Sequence, residues 1–259
     1  MESDSQTVPL DDVYLETVVL NDREYQCFAV ENGTYFAPVD EVVGVDISPH
    51  MIPEETPGNL DLQIDDLNRP FTFPSNYFDL VHSRLVAGGI NSDRWRDYLR
   101  DMVRVLRPGG WCQMVEIYFN AQSDNGSLTS SHALSRWSQR YLESLSPYKD
   151  PRIPLRLEQM MRQAGLVDVE TRILPLPMCG WSSDPRSNDI GTANRENVQR
   201  LLASLATFPL TELAGMPIAD VQLLVAQARA EASNVDFKVN TASIGQLLGI
   251  QIRLAARPC

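Results

Sequence analysis

Short apolar runs recur between Glu41 and Glu116, and each closes on polar or charged residues. EVVGVDIS, with Val42, Val43 and Val45, reads as a strand of the buried parallel kind that ends at Asp46. LDLQID is a second strand ending at Asp65 and Asp66, and FDLVHS is a third, after the turn Pro74-Ser75-Asn76. From Ser92 to Leu106 the apolar residues Trp95, Leu99, Met102, Val103 and Leu106 keep helical spacing, and RPGG breaks it where a C-terminal glycine is expected. WCQMVEIYF follows as a further buried strand. In open α/β sheets ligands bind outside the carboxyl ends of the strands, so Asp46, Asp65 and Asp66 are placed to hold a nucleotide-like cofactor. The plainer account is that such acids close the turns that follow them.

Upstream, VYLETVVL and REYQCFAV flank Asn21-Asp22 and read as a hairpin; a helix over 10–19 followed by a strand is the alternative, since Leu10, Val13, Tyr14 and Thr17 also keep helical spacing. ENGTYFAPVDE reads as loop. Downstream of residue 120 helices dominate: Ser130–Leu145, Arg156–Ala164 ending at Gly165, then 190–206 and 217–233. VDVETRILPLP has the composition of an edge strand stopped by prolines, and the chain closes on a further strand. Alternating strands and helices imply an α/β fold with a mostly parallel sheet covered on both faces. The organisation expected is an arm at 1–24 and a single domain over 25–259, with helical cap elements within about 121–164 and 186–233.

Composition narrows the partners. A formal net charge of -12 over 259 residues excludes bulk electrostatic gripping of nucleic acid phosphates or an anionic membrane. The four cysteines lie far apart with no CxxC pair, which fits neither structural zinc nor a disulfide scaffold, and no other metal-ligand spacing is present. The acidic start MESDSQTVPLDD lacks an apolar core, and no run reaches about 18 apolar residues, so a cytoplasmic protein is expected.

With VVGVDISP, IDDLNRPFTFP, FDLVHSRLVAGGI and LRPGGW in this order, the chain resembles the class I S-adenosylmethionine-dependent methyltransferases. More narrowly it is similar to their fungal LaeA-like branch, found in secondary-metabolite pathways and regulators; the likeness continues through DNGSL, RWSQRYLE, AGLVDVE and WSSDPRSNDIG. The resemblance implies a Rossmann-like sheet with a helical cap and S-adenosylmethionine as cofactor. It assigns the ribose hydroxyls to Asp46 and the border of the adenine to Asp65 and Asp66. His82, Ser83 and Arg84 follow the family's fourth strand, where cofactor and acceptor meet: Ser83 towards the cofactor, Arg84 towards the substrate.

The glycine-rich loop that should follow the family's first strand is missing. Taking Glu31 and Gly33 as its relic leaves too short a crossover before the next strand. The better alignment matches REYQCFAVENGTYFAPVDE to the segment ahead of the sheet, with first strand, loop and first helix deleted, so the sheet is truncated at its first strand. YQCFAV is one candidate to refill the gap, a swapped element of a second copy in a homodimer is another, and a wrongly spliced gene is a third account.

His82 is a candidate general base or a structural histidine. Glu116 orients a substrate or closes its strand. Trp137, Tyr141 and Trp181 line an apolar acceptor pocket or belong to the core. Three functions stand: methyl transfer to a small hydrophobic pathway intermediate; a cyclisation, pericyclic or isomerisation step by an enzyme that has lost methyl transfer; and non-catalytic regulation of secondary metabolism.

Overall fold

In the computed structural model, which describes residues 17–20, 23–26, 42–53, 55–56, 58–245 and 252–254, strand β1 (Thr17–Leu20) pairs antiparallel with β2 (Arg23–Gln26), Leu20 opposite Arg23. Of the two readings of this segment the hairpin is the one formed. Residues 10–16, and most of the run proposed to refill the sheet, lie outside the described residues. The chain divides into two compact units between Leu67 and Asn68.

In the first unit β3 (Val42–Asp46) and β4 (Leu60–Ile64) pair in parallel, in unbroken register from Val42–Leu60 to Asp46–Ile64. Gly44 permits their packing, because a Cβ there would stand 2.5 Å from Leu62 Cδ2. The sequence led us to expect buried strands, yet Val42 is 50% and Ile64 58% exposed. The reason is topological. Among the described residues β3 hydrogen-bonds only to β4, so its other edge has no partner and the pair lacks the flanking strands that a buried parallel sheet supplies.

The second unit opens with β5 (Phe78–Arg84), the crossover helix α1 (Trp95–Val105) and β6 (Leu106–Val115), the two strands running parallel. Helix α1 buries Trp95, Tyr98, Leu99, Met102 and Val105; of the residues at helical spacing Trp95, Leu99 and Met102 lie on this face, whereas Val103 is half-buried and Leu106 begins β6. RPGG does not separate helix from strand; it lies within β6. Gly109 takes φ 83° and the register shifts between Phe78 and Leu80, while a Cβ on Gly110 would stand 3.0 Å from Asp79 O. The glycines thus carry a bulge and a close strand approach.

The chain continues through β7 (Ala121–Ser123), α2 (Ala133–Leu145), α3 (Leu157–Gln163), β8 (Leu166–Val167), β9 (Leu174–Pro177), α4 (Pro185–Phe208), α5 (Ile218–Ala232), β10 (Val239–Gly245) and β11 (Ile252–Leu254). β11 enters antiparallel between β6 and β8, giving the order β5-β6-β11-β8. β10 lies antiparallel between β7 and β9 in a separate sheet, with proline-bearing β9 at its edge as expected. Among the described residues parallel pairing is confined to β3–β4 and β5–β6, less than strand–helix alternation suggested. Beyond β6 the helices α2, α4 and α5 pack on one another, so their alternation with strands no longer marks crossovers.

These three helices and a π-helical turn at Pro209–Leu213 enclose the larger apolar core, with Leu134, Trp137, Leu202, Leu210 and Ala228 buried; a fully buried large side chain contributes about 2–3 kcal/mol. Glu231 of α5 ties them together: its carboxylate accepts the Ala133 and Leu134 N–H groups at 3.1 and 2.7 Å, capping the positive end of α2. Helix α4 starts earlier than expected because Asp184 accepts the Ser187 N–H at 2.8 Å and Pro185 takes the first helical position. Among the described residues no helix is long and apolar enough to cross a membrane.

Candidate functional site

The strand-end acids of the first unit lie side by side. The Asp65 N–H donates to Asp46 O at 3.2 Å, continuing the β3–β4 ladder past its last pair. Asp46 is exposed, and its Oδ1 accepts the Ser48 N–H at 2.7 Å, closing the turn that leaves β3. Its Oδ2 has no hydrogen bond among the described residues. Asp65 Oδ1 accepts the Asp66 N–H at 2.8 Å, and both residues are half-buried. In Asp46 one oxygen closes the turn and the other is left as an acceptor. This set of acceptors fits the hydroxyl- and amine-rich adenosine end of a nucleotide-like cofactor.

On the second unit, alternation along β5 splits the three residues that the resemblance groups. His82 and Arg84 are exposed, whereas Ser83 points the other way and is 4% exposed, its Oγ 2.9 Å from the Tyr98 hydroxyl of α1. Burial pushes the Tyr98 phenol well above its ordinary range, while the Ser83 bond pulls it down. His82 Nδ1 stands 2.8 Å from Gln113 Oε1, its register partner on β6. Opposite a carbonyl oxygen Nδ1 carries the hydrogen, so the neutral ring keeps its lone pair on Nε2.

Glu116 follows β6 directly and is 1% exposed. Its Oε1 accepts the Val86 N–H at 2.8 Å and its Oε2 the Ala87 N–H at 3.1 Å. Burial raises its pKa from 4.5 to about 7, against the pull of these two N–H groups. The loop it grips starts at Leu85, whose φ of 55° turns the chain out of β5. Asn68 holds the far end, accepting the Asn91 N–H at 2.7 Å and donating to Gly89 O at 3.1 Å. Lys149 Nζ reaches the same stretch, 2.6 Å from Gly89 O and 2.7 Å from Asn91 Oδ1. Three side chains distant in sequence therefore fix the segment that leaves β5.

Two of the aromatic candidates, Trp137 and Tyr141, belong to the packed helices. Trp137 is stacked on Tyr141, ring centroids 5.2 Å apart, and donates from Nε1 to Leu202 O at 3.0 Å. Burial lifts the Tyr141 phenol to about 12. Trp181 is half-buried and donates to Val239 O at 2.9 Å, anchoring the segment after β9 to β10.

Tyr98, Gln113, Asn68 and Lys149 were not singled out in the sequence. Tyr98 does lie on the apolar stripe of α1, one turn after Trp95. Gln113 stands two residues from Trp111 on the exposed face of β6, a position that alternation reveals once the partner register is known. Nothing local marks Asn68 or Lys149.

A parallel strand pair ending in adjacent acids, a strand–helix–strand crossover, and an antiparallel strand inserted between β6 and β8 define an α/β protein with Rossmann-like strand–helix–strand pairing. Residues 27–114 match the family described as a methyltransferase domain. Over 201 residues the chain is 30% identical to the secondary metabolism regulator laeA of Monascus pilosus, covering 75% of this chain and 53% of that protein. It is 27% identical over 198 residues to the methyltransferase pytC of Aspergillus terreus, covering 75% and 59%. The chain is thus similar to the class I S-adenosylmethionine-dependent methyltransferases, and within them to the LaeA-like branch. It spans only part of these relatives, 53% and 59% of their length. Among solved structures, phosphoethanolamine N-methyltransferase 2 of Haemonchus contortus, in complex with phosphomonomethylethanolamine and S-adenosylhomocysteine, aligns with a TM-score of 0.46 and 18% identity, covering 84% of this chain and 44% of that one.

Proposed function

We propose that this protein binds S-adenosylmethionine through Asp46, Asp65 and Asp66 and transfers its methyl group to a small hydrophobic intermediate of secondary metabolism. The observation that carries the reading is the pair of acids side by side at the carboxyl ends of β3 and β4, with Asp46 Oδ2 left to accept a ribose hydroxyl. When bound, the cofactor supplies an electrophilic sulfonium methyl group. The chain's own contribution is orientation and acceptance of a proton. His82, with its Nδ1 hydrogen held by Gln113, offers Nε2 to an acceptor O–H or N–H, and Arg84 beside it on the same face provides a charge to orient a polar substituent. Ser83, turned towards Tyr98, and Glu116, occupied by two backbone N–H groups, support β5 and the loop after it.

Calorimetric titration of the whole chain with S-adenosylmethionine tests this reading. Saturable heat that weakens in Asp46→Asn is the expected result; no heat from protein with a folded circular dichroism spectrum overturns it. One observation favours a second reading. Residues 27–41 contain a single glycine, Gly33, so the sequence offers no glycine-rich cradle for the amino-acid end of the cofactor. A descendant that has lost methyl transfer would catalyse a cyclisation or isomerisation, or act as a regulator. Pathway products from a strain lacking the gene separate these outcomes: loss of a methyl group changes the mass, loss of a ring closure changes connectivity, and a regulator changes only the amounts.

A further inference from the structure

The second unit contains a polar pocket of about 300 Å³ lined by residues from three stretches: Ser92 ahead of α1, Ser146 to Arg152 after α2, and Arg156 ahead of α3. Lys149, Arg152 and Arg156 bring three cations to it and Asp150 one carboxylate. That carboxylate is already committed within the protein. Its Oδ1 accepts the Arg152 backbone N–H at 3.2 Å and its Oδ2 pairs with the Arg156 guanidinium, which leaves the Asp150 side chain 15% exposed. Ser146 donates to Leu142 O at 2.7 Å, and Lys149 is engaged by the loop after β5. The side chain of Arg152 has no hydrogen bond or ion pair among the described residues, and neither has the Ser92 hydroxyl. The pocket thus keeps the Arg152 guanidinium, the remaining Arg156 donors and a hydroxyl, with positive charge in excess.

These walls are wrong for a hydrophobic intermediate, since sites for such ligands are mostly apolar. They are right for a compact oxyanion: a guanidinium presents planar N–H pairs that match phosphate oxygens two at a time, and charge-assisted bonds of this kind are the strong ones. We infer that this pocket binds a phosphate group carried by a small molecule, with Arg152 and Arg156 as its principal donors. Lys149 places the site in contact with the machinery of β5, because the ammonium at its wall also holds Gly89 and Asn91.

Calorimetric titration of the whole chain with inorganic phosphate, and separately with glycerol 3-phosphate, at ionic strength held constant with sodium chloride, tests the site. Saturable binding of at least one is expected, about tenfold weaker in Arg152→Ala and in Arg156→Ala and unchanged in the control Arg200→Ala. Tighter binding of glycerol 3-phosphate assigns the site to phosphate monoesters, and tighter binding of inorganic phosphate assigns it to the free ion. Amide hydrogen exchange gives the location: protection by the ligand is expected within residues 146–156. Heat that does not saturate, equal affinity in both pocket variants and wild type, or protection confined elsewhere overturns the inference.

Discussion

Glu116 Oε1 accepts the Val86 N–H at 2.8 Å, so a buried carboxylate at the end of β6 fixes the first peptides of the loop that leaves β5. The carboxylate is retained at a cost that depends on pH. Its folded pKa, about 7, lies above the ordinary 4.5, so its contribution to stability is fully present below the unfolded value and is lost as pH rises through the folded one. Stability from this group therefore falls between those values, by an amount on the order of 3 kcal/mol. Urea unfolding at pH 5 and pH 8 should show the fall, and Glu116→Gln should flatten it. Glu116→Ala should destabilise the protein at both pH values, by about 2–4 kcal/mol, because two N–H groups lose their acceptor.

Ser83 and Tyr98 form one buried unit, so their single replacements should not add. Ser83→Ala and Tyr98→Phe should each cost about 1–2 kcal/mol, with the double variant costing less than their sum by about 1 kcal/mol. Chemical denaturation of the four proteins measures the coupling. Strict additivity would mean that Ser83 acts elsewhere, as a cofactor ligand should.

Trp137→Phe removes the bond to Leu202 O and disturbs the stack on Tyr141. Unfolding free energy should drop by about 2–3 kcal/mol. A stable variant with altered substrate affinity would instead place Trp137 in an acceptor pocket.

Gly191 inverts the usual helix preference. Alanine favours a helix over glycine by about 1 kcal/mol, but a Cβ at this position of α4 would stand 2.2 Å from Cys179 O and 2.9 Å from Pro177 Cβ. Gly191→Ala should therefore lower the melting temperature, with a loss of about 2 kcal/mol or more.

Asp46→Asn preserves an oxygen for the Ser48 N–H and removes the charge. Its fold should be intact by circular dichroism while cofactor affinity falls about tenfold, a loss of one charge-assisted bond to a hydroxyl.

What the sequence disclosed follows from the range of the interactions involved. The runs ending at Asp46 and Asp65 announced β3 and β4 because β-branched residues and terminal acids are local signals. Alternation alone also separates Ser83 from His82, although it takes the packing of α1 to say which of them is covered. The bond from His82 to Gln113 depends on cross-strand register, and the grip of Asn68 and Lys149 on the loop joins residues with no sequence relation. Trp137 and Tyr141 leave both pocket and core open, with core the plainer reading, until α4 and α5 are in place around them. The early start of α4 was legible in Asp184-Pro185, an N-cap followed by proline.

The insertion of β11 has a consequence for the order of events during synthesis. β6 and β8 are not paired to each other; each is paired to β11, the last of the described strands in chain order. A ribosome delivers β5, α1, β6 and all the helices before the strand that joins the two parts of the sheet. Until then, among the described residues, β6 has one open flank and the two residues of β8 have no ladder, so the nascent chain carries an unfinished sheet until β11 is made. Synthesis of β11, rather than of β5 to β6, sets the moment at which this sheet can be completed.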